Sequence, residues 1–240
     1  MIPDHNQSKA ASEIVRVESV KKIYQDNGVP VEALRGIDLT VSGRDFSVIA
    51  GPSGSGKTTL LNIIGTLDKP SEGRVILDGE DINKKTRREL ADIRLRKIGF
   101  VFQAYNLNPV LSALENVEFT MMLRGINPAE RKKKSLALLS ELGIGDLANK
   151  RPNEMSGGQQ QRVAIARAIS NDPRLVLADE PTANLDSETA ARLLDLMERL
   201  NREDGITFVF SSHDPQVIER AHRLLTLKDG QIIADKKIKP

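Results

Sequence analysis

From Ile14 the chain alternates apolar and polar positions. Ile14-Val15-Arg16-Val17 and Ile37-Asp38-Leu39-Thr40-Val41 carry the two-residue period of half-buried strands. Phe46-Ser47-Val48-Ile49-Ala50 is a short apolar run that stops at a glycine, which predicts a fully buried strand. Leu60, Ile63, Ile64 and Leu67 then recur at helical spacing. Residues 73–77 with the pair Asp78-Gly79 predict a hairpin. Later, Leu175-Val176-Leu177-Ala178 and Thr207-Phe208-Val209-Phe210 predict two more buried strands. Leu193, Leu196, Met197 and Leu200 between them mark an amphipathic helix. A second hairpin is expected over 224–233, around Asp229-Gly230. Buried strands alternating with helices imply a parallel sheet covered on both faces, so the fold class is α/β.

The stretch 104–172 breaks this rhythm. It holds no convincing strand, and Leu136, Leu139 and Leu142 share one face of a helix. A helical subdomain inserted at about 104–172, within a single domain over 13–235, is the expected organisation. Residues 1–12 are polar, have no apolar stretch of a signal peptide, and are expected to form a flexible tail. Residues 236–240 are expected to form a charged tail.

Composition narrows the function classes. At 240 residues the chain is long enough for a core without disulfide staples. It has no Cys, which excludes disulfides and thiolate metal sites. The net charge of +2 lacks the basic excess of a dedicated nucleic-acid binder, and aromatics at 3% are too sparse for base-stacking platforms. No apolar run approaches the ~18–20 residues that span a bilayer.

Candidate chemistry is concentrated at three places. Gly51-Pro52-Ser53-Gly54-Ser55-Gly56-Lys57-Thr58, followed by Thr59, fits G-x-x-x-x-G-K-[ST] between a buried strand and a helix. Glycines let backbone N–H groups converge on phosphate oxygens, and the helix start adds partial positive charge. Lys57 would reach the β- and γ-phosphates, and the Thr58 hydroxyl would bind Mg²⁺. A chance match arises in on the order of 1% of chains of this size, and the flanking strand and helix lower that further. The second place is the strand end Asp179-Glu180. Asp179 would hold the Mg²⁺ shell, while Glu180, pointing the other way, would orient a water at the γ-phosphate. The third is Ser156-Gly157-Gly158-Gln159, which reads as a capping box opening a helix. Two glycines in a first turn make sense if another molecule approaches the backbone closely. An ordinary N-cap before an Arg-rich helix accounts for the same residues.

Together these motifs resemble the ATP-binding cassette (ABC) ATPases, whose fold is a P-loop NTPase (RecA-like) core with an N-terminal antiparallel β subdomain and a helical insertion. Met155-Ser156-Gly157-Gly158-Gln159 is similar to their LSGGQ signature, with Met for Leu. Tyr24 resembles the aromatic that stacks on adenine, although a core tyrosine would look the same. Gln103 resembles the Q-loop glutamine, with a turn residue at a strand end as the other reading. Pro173 resembles the loop proline, Asn184-Leu185-Asp186 the D-loop and His213 the switch histidine. The resemblance covers about 14–234. Residues 155–168 and 177–186 are most similar to the macrolide, lipoprotein and division-linked subfamily (MacB, LolD, FtsE), except that Ala183 stands where Gly is usual.

The resemblance implies an ATPase that binds ATP and Mg²⁺ and dimerises head to tail. Ser156 and Gly158 would act on the γ-phosphate bound by the other subunit, with Gly157 and Gln159 beside them. Glu180 would polarise the attacking water, His213 would contact the γ-phosphate, and Gln103 would complete the Mg²⁺ and water shell. Asp186 would couple the two sites. Implied partners are a second copy and membrane permease subunits, with a periplasmic adaptor or lipoprotein as a further candidate and no nucleic acid. The implied location is the cytoplasmic face of the cell membrane. Two functions remain open on these residues: powering a macrolide- or lipoprotein-type exporter, or signalling across the membrane without transport, as division-linked members do. The basic run Arg131-Lys132-Lys133-Lys134 reads as a solvated helix start, with acidic lipid headgroups as the minor alternative.

Overall fold

A computed structural model describes residues 12–26 and 28–238. Two sheets and the helices between them account for nearly all of it. The first sheet is antiparallel, in the order β2 (Val29–Ser42), β1 (Glu13–Asp26), β4 (Glu72–Leu77), β5 (Glu80–Asp81). The predicted alternation is present in β2, where Leu34, Ile37, Leu39 and Val41 are buried and the residues between them are not. The Asp78-Gly79 turn has φ of 51° and 79°, as a two-residue hairpin of this hand requires.

The second sheet runs β10 (Gln231–Lys237), β9 (Arg223–Lys228), β3 (Phe46–Ala50), β8 (Thr207–Ser212), β7 (Leu175–Asp179), β6 (Ile98–Val101). The five strands from β9 to β6 are parallel, and β10 closes the edge as an antiparallel hairpin with β9. Successive side chains divide between two cores. Phe46, Val48, Val176, Ala178, Phe208 and Phe210 face one. Ile49, Leu175, Leu177 and Val209 face the other. The second core is shared with α1 (Lys57–Ile64) and the antiparallel sheet. The first is shared with α5 (Gly157–Ile169) and α6 (Ser187–Asp204). Burial on both sides is why these strands read as continuous apolar runs.

In 104–172 the described elements are helical: α3 (Ala113–Leu123), α4 (Pro128–Glu141) and α5, with two short 3₁₀ turns. Leu139 and Leu142 are buried there, whereas Leu136 is exposed. Leu67 is also exposed, because α1 ends at Ile64. The helix α2 (Arg87–Lys97) and strand β6 precede this stretch, and α7 (Pro215–Arg220) follows β8.

The tails need correction at both inner ends. Residues 1–11 lie outside the described residues, but Ser12 is held: its carbonyl accepts from Gly43 N–H at 2.8 Å, and its hydroxyl accepts from Arg174 at 3.2 Å. At the other end Lys236 and Lys237 are strand residues, paired with Leu224 and Arg223. Pairing with β9 satisfies their backbone, which a free tail would leave to water.

Candidate nucleotide site

The carboxyl ends of β3, β7 and β8 lie side by side, with Ala50 paired to Ser212 and Asp179 to Ser211. In open parallel sheets this edge is where ligands bind. A cavity of about 360 Å³ opens there, lined by Ser53, Gly54, Gly56, Lys57, Thr58, Thr59, Gln103, Glu180 and His213, with Ala33 and Ala183.

The loop 51–56 has the shape that its glycines permit. Gly54 and Gly56 have φ of 78° and 102°. A Cβ on Gly51 would lie 2.1 Å from the Leu227 carbonyl oxygen. Gly56 is the N-cap of α1, and no side chain caps the first turn of the helix. Those backbone N–H groups therefore remain donors for an anion. Lys57 is almost buried, and its ammonium lies across the loop, donating to the Gly51 and Pro52 carbonyls at 2.8 and 3.0 Å. Ser55 is buried behind the loop and does not line the cavity.

The Thr58 hydroxyl donates to Asp179 Oδ1 at 3.2 Å, and the Ser211 hydroxyl donates to the same oxygen. One hydroxyl and one carboxylate are hard oxygen donors. They suit Mg²⁺, which takes few protein ligands and completes its octahedron with phosphate oxygens and water. Glu180 ends the strand in a left-handed conformation, φ 44°. This turn, rather than strand alternation, is what separates it from Asp179. Its Oε2 accepts from the Ser212 hydroxyl at 3.0 Å, and its Oε1 lies 2.7 Å from His213 Nδ1. Ser211 and Ser212 were not singled out from the sequence. Their signal was the run of β8, which passes from Phe210 into two serines directly before His213.

Other candidates lie around this centre. The Gln103 carbonyl accepts from Asn184 Nδ2 at 2.8 Å. Tyr24 is outside the cavity lining, and its hydroxyl donates to Asp68 at 2.7 Å. Asp186 caps α6, accepting from Thr189 N–H at 2.9 Å and the Thr189 hydroxyl at 2.7 Å, which holds its carboxyl below the usual carboxylate range.

Ser156, Gly157, Gly158 and Gln159 are not brought to the cavity lining of their own chain. The capping box is formed: Ser156 N–H donates to Gln159 Oε1 at 2.8 Å, and Gln159 N–H to Ser156 Oγ at 3.4 Å. The two glycines have close neighbours within the chain. A Cβ on Gly158 would lie 2.4 Å from Thr189 Cγ2, and one on Gly157 would lie 2.7 Å from the Tyr105 hydroxyl. Within the chain Gly158 thus packs against Thr189 of α6, while Gly157 meets only the far end of the Tyr105 side chain.

Residues 34–183 match the family described as ABC transporter. The chain belongs to the ABC transporter family. The lipoprotein-releasing system ATP-binding protein LolD of Aquifex aeolicus is 46% identical over 93% of this chain and 98% of its own length. The macrolide export ATP-binding/permease protein MacB of Brucella melitensis is 46% identical over 94% of this chain, which spans 35% of that longer protein. Among solved structures, a dimeric post-hydrolysis state of the ATP-binding cassette MJ0796 bound to ADP and Pi is similar, with TM-score 0.89 and 44% identity, covering 95% of this chain and 100% of that one. As an ABC ATPase this chain binds ATP with Mg²⁺ and hydrolyses it to ADP and phosphate. Among its described residues no helix is long and apolar enough to cross a membrane.

Proposed function

We propose that two copies of this chain close head to tail on two ATP molecules and reopen after hydrolysis, driving membrane permease subunits of an exporter of the macrolide or lipoprotein type. In this reading Lys57 and the uncapped start of α1 bind the β- and γ-phosphates, and Thr58 and Asp179 hold Mg²⁺. The metal, when bound, neutralises developing charge on the phosphates. Glu180 orients the attacking water and takes up its proton. His213, at 2.7 Å from Glu180, fixes that carboxylate and reaches toward the γ-phosphate. Gln103 stands at the water's side, Tyr24 offers its ring to the base, and Asp186 links one site to the other. Ser156 and Gly158 serve the ATP held by the opposite chain, with Gly157 and Gln159 shaping that helix start.

The observation that carries this reading is the convergence on one cavity of Lys57, Thr58, Gln103, Glu180 and His213, which come from four separate segments. Support for a membrane partner comes from the relatives named as transporter ATPases and from an apolar groove of about 670 Å³. Phe100 and Phe102, Leu95 of α2 and Phe119 and Leu123 of α3 line it, together with Asn106. A periplasmic adaptor and a place on the cytoplasmic face of the membrane follow if the partner is of this type.

Cysteines at Ser53 and Ser156 test the head-to-tail arrangement, since both residues are exposed and the chain has no native Cys. ATP-dependent crosslinks between chains are expected, and crosslinks confined to single chains would refute it. Co-purification of the membrane partner identifies the exporter class.

A further inference from the structure

Tyr24 is held by two charged side chains that no motif picks out. Its hydroxyl donates to Asp68 Oδ2 at 2.7 Å. The Lys22 ammonium donates to Asp68 Oδ1, also at 2.7 Å, and to the Lys69 carbonyl at 2.8 Å. The same ammonium sits 4.7 Å from the centre of the Tyr24 ring. Lys22 and Tyr24 are two residues apart on β1, so they share a face. The Lys22 side chain is only 12% exposed, whereas Tyr24 remains 38% exposed. One face of the ring is thus taken by a cation, and the open area lies elsewhere on it.

Asp68 is itself seated on the end of the phosphate-loop helix. The N–H groups of Leu67 and Asp68 both donate to the Asn62 carbonyl, at 2.8 and 3.2 Å. The eight residues of α1 span about 12 Å. At one end the helix presents its uncapped N–H groups to the cavity, and at the other it holds the carboxylate that grips Tyr24. Burial tends to raise Asp68, but hydrogen bonds from Lys22 and Tyr24 outweigh it and keep the carboxyl below its usual range, so it is an anion at neutral pH.

We propose that Lys22 and Asp68 are positioning residues for the nucleotide base: they lock the Tyr24 ring at a set distance from the phosphate loop, so that base and phosphates are received by one rigid unit. The proposal rests on the reading of Tyr24 as the base platform. A ring fixed before binding loses less freedom when a base stacks on it, and preorganisation of this kind shows as affinity. Lys22 closes one face and leaves a single face for stacking.

Two measurements test it. Calorimetric affinities for ATP and for inorganic tripolyphosphate, both without Mg²⁺ so that nothing turns over, are compared among the wild type, Tyr24→Phe, Tyr24→Ala, Asp68→Asn, Lys22→Met and the Tyr24→Ala/Asp68→Asn pair. Steady-state kinetics follow on the same proteins. Tyr24→Phe deletes one hydroxyl from an exposed ring and leaves the fold intact. It should weaken ATP about threefold to tenfold, the worth of one hydrogen bond. Asp68→Asn and Lys22→Met should do the same, raising KM with little change in kcat. Tripolyphosphate affinity should not move, and Asp68→Asn should add nothing in the Tyr24→Ala background. If Tyr24→Ala leaves ATP affinity unchanged, the base-platform reading fails. If Tyr24→Ala weakens ATP while Tyr24→Phe and Asp68→Asn do not, that reading stands and the clamp is refuted. Equal weakening of tripolyphosphate, or an undiminished Asp68→Asn effect without the ring, would also refute it by showing a general structural role.

Discussion

The helix α1 follows its N-cap Gly56 with no side chain over its first turn, while α5, which opens on Gly157 and Gly158, starts under a closed capping box. Both stretches are glycine-rich, and both suit an anion by the rule of helix dipoles. They differ in what their own chain already supplies. At α1 the glycines bend a loop around a cavity, and Lys57 spans it. At α5 Ser156 has taken the Gln159 N–H, and Gly158 lies flat against Thr189 of α6. The first is a site built to receive a ligand within this chain. The second is a helix start whose capping box takes up the Ser156 and Gln159 N–H groups, with an exposed serine at its tip. It lies away from the cavity lining of its own chain, which suits a surface pressed against a second copy.

The largest expected effect comes from the centre that α1 serves. Glu180→Gln should lower turnover about 10²–10⁴-fold, the usual loss on removing one positioned base. The amide retains the shape and can still accept from Ser212, so ATP binding should persist. With hydrolysis blocked, bound ATP should hold two chains together, and light scattering with and without ATP reads this directly. A variant that turns over at the wild-type rate would remove Glu180 from its role. A variant that binds ATP yet stays monomeric would separate the α5 start from the ATP site altogether. Lys57→Ala comes next. Losing a charged donor to phosphate should weaken ATP by roughly 10- to 100-fold, measured as the affinity of the isolated chain. Unchanged affinity would mean that α1 alone carries the binding.

The difference between the two helix starts was only partly legible beforehand. Strand β3, the loop and α1 stand where the apolar run and the glycines put them. The capping box was legible too, because Ser156 and Gln159 have the three-residue spacing that local backbone geometry demands. The contacts of Gly157 and Gly158 were not. They are made by Tyr105 and Thr189, which are 52 and 31 residues away from Gly157 and Gly158 in sequence and meet them only after the sheet is assembled. For the same reason the clamp on Tyr24 was invisible: Asp68 reaches it across 44 residues. Elements with weak periodicity were hard to read. The helix α2 escaped notice, since it buries only Leu90 and Ile93 among its eleven residues, and β6, four residues long, showed only as a strand end before Gln103. The left-handed backbone of Glu180 has no local signature, since Glu seldom adopts it.

Packing at α5 can be tested apart from any nucleotide. Gly158→Ala should cost about 1–3 kcal/mol of stability, as overpacking does, because its new methyl meets Thr189 Cγ2. Thr189 cannot turn aside without losing its hydroxyl bond to Asp186. Adding Thr189→Ser removes the offending methyl and keeps that bond, so the double variant should recover most of the loss. Thermal unfolding of the four proteins gives the cycle. A Gly158→Ala variant as stable as wild type would show that packing on Thr189 does not require a glycine at this position.

The smallest effect separates the two jobs of Ser156. As an N-cap it accepts from Gln159 N–H, and Ser156→Ala should cost about 1 kcal/mol in the chain without ATP. Aspartate caps a helix about as well as serine does, so Ser156→Asp should unfold at nearly the wild-type temperature. Its carboxylate would nevertheless stand where the γ-phosphate of the opposite chain is to be received, and two anions there repel each other. Stability and ATP-dependent dimerisation should therefore move in opposite directions across the two variants. Ser156→Ala loses some stability and retains part of its dimerisation, because no charge blocks the phosphate. Ser156→Asp retains stability and loses dimerisation, while its ATP affinity as a monomer stays at the wild-type level, since α1 is untouched. Should Ser156→Asp dimerise with ATP as readily as the wild type, the α5 start would be a cap and nothing more, and the contrast with α1 would be one of helix architecture alone.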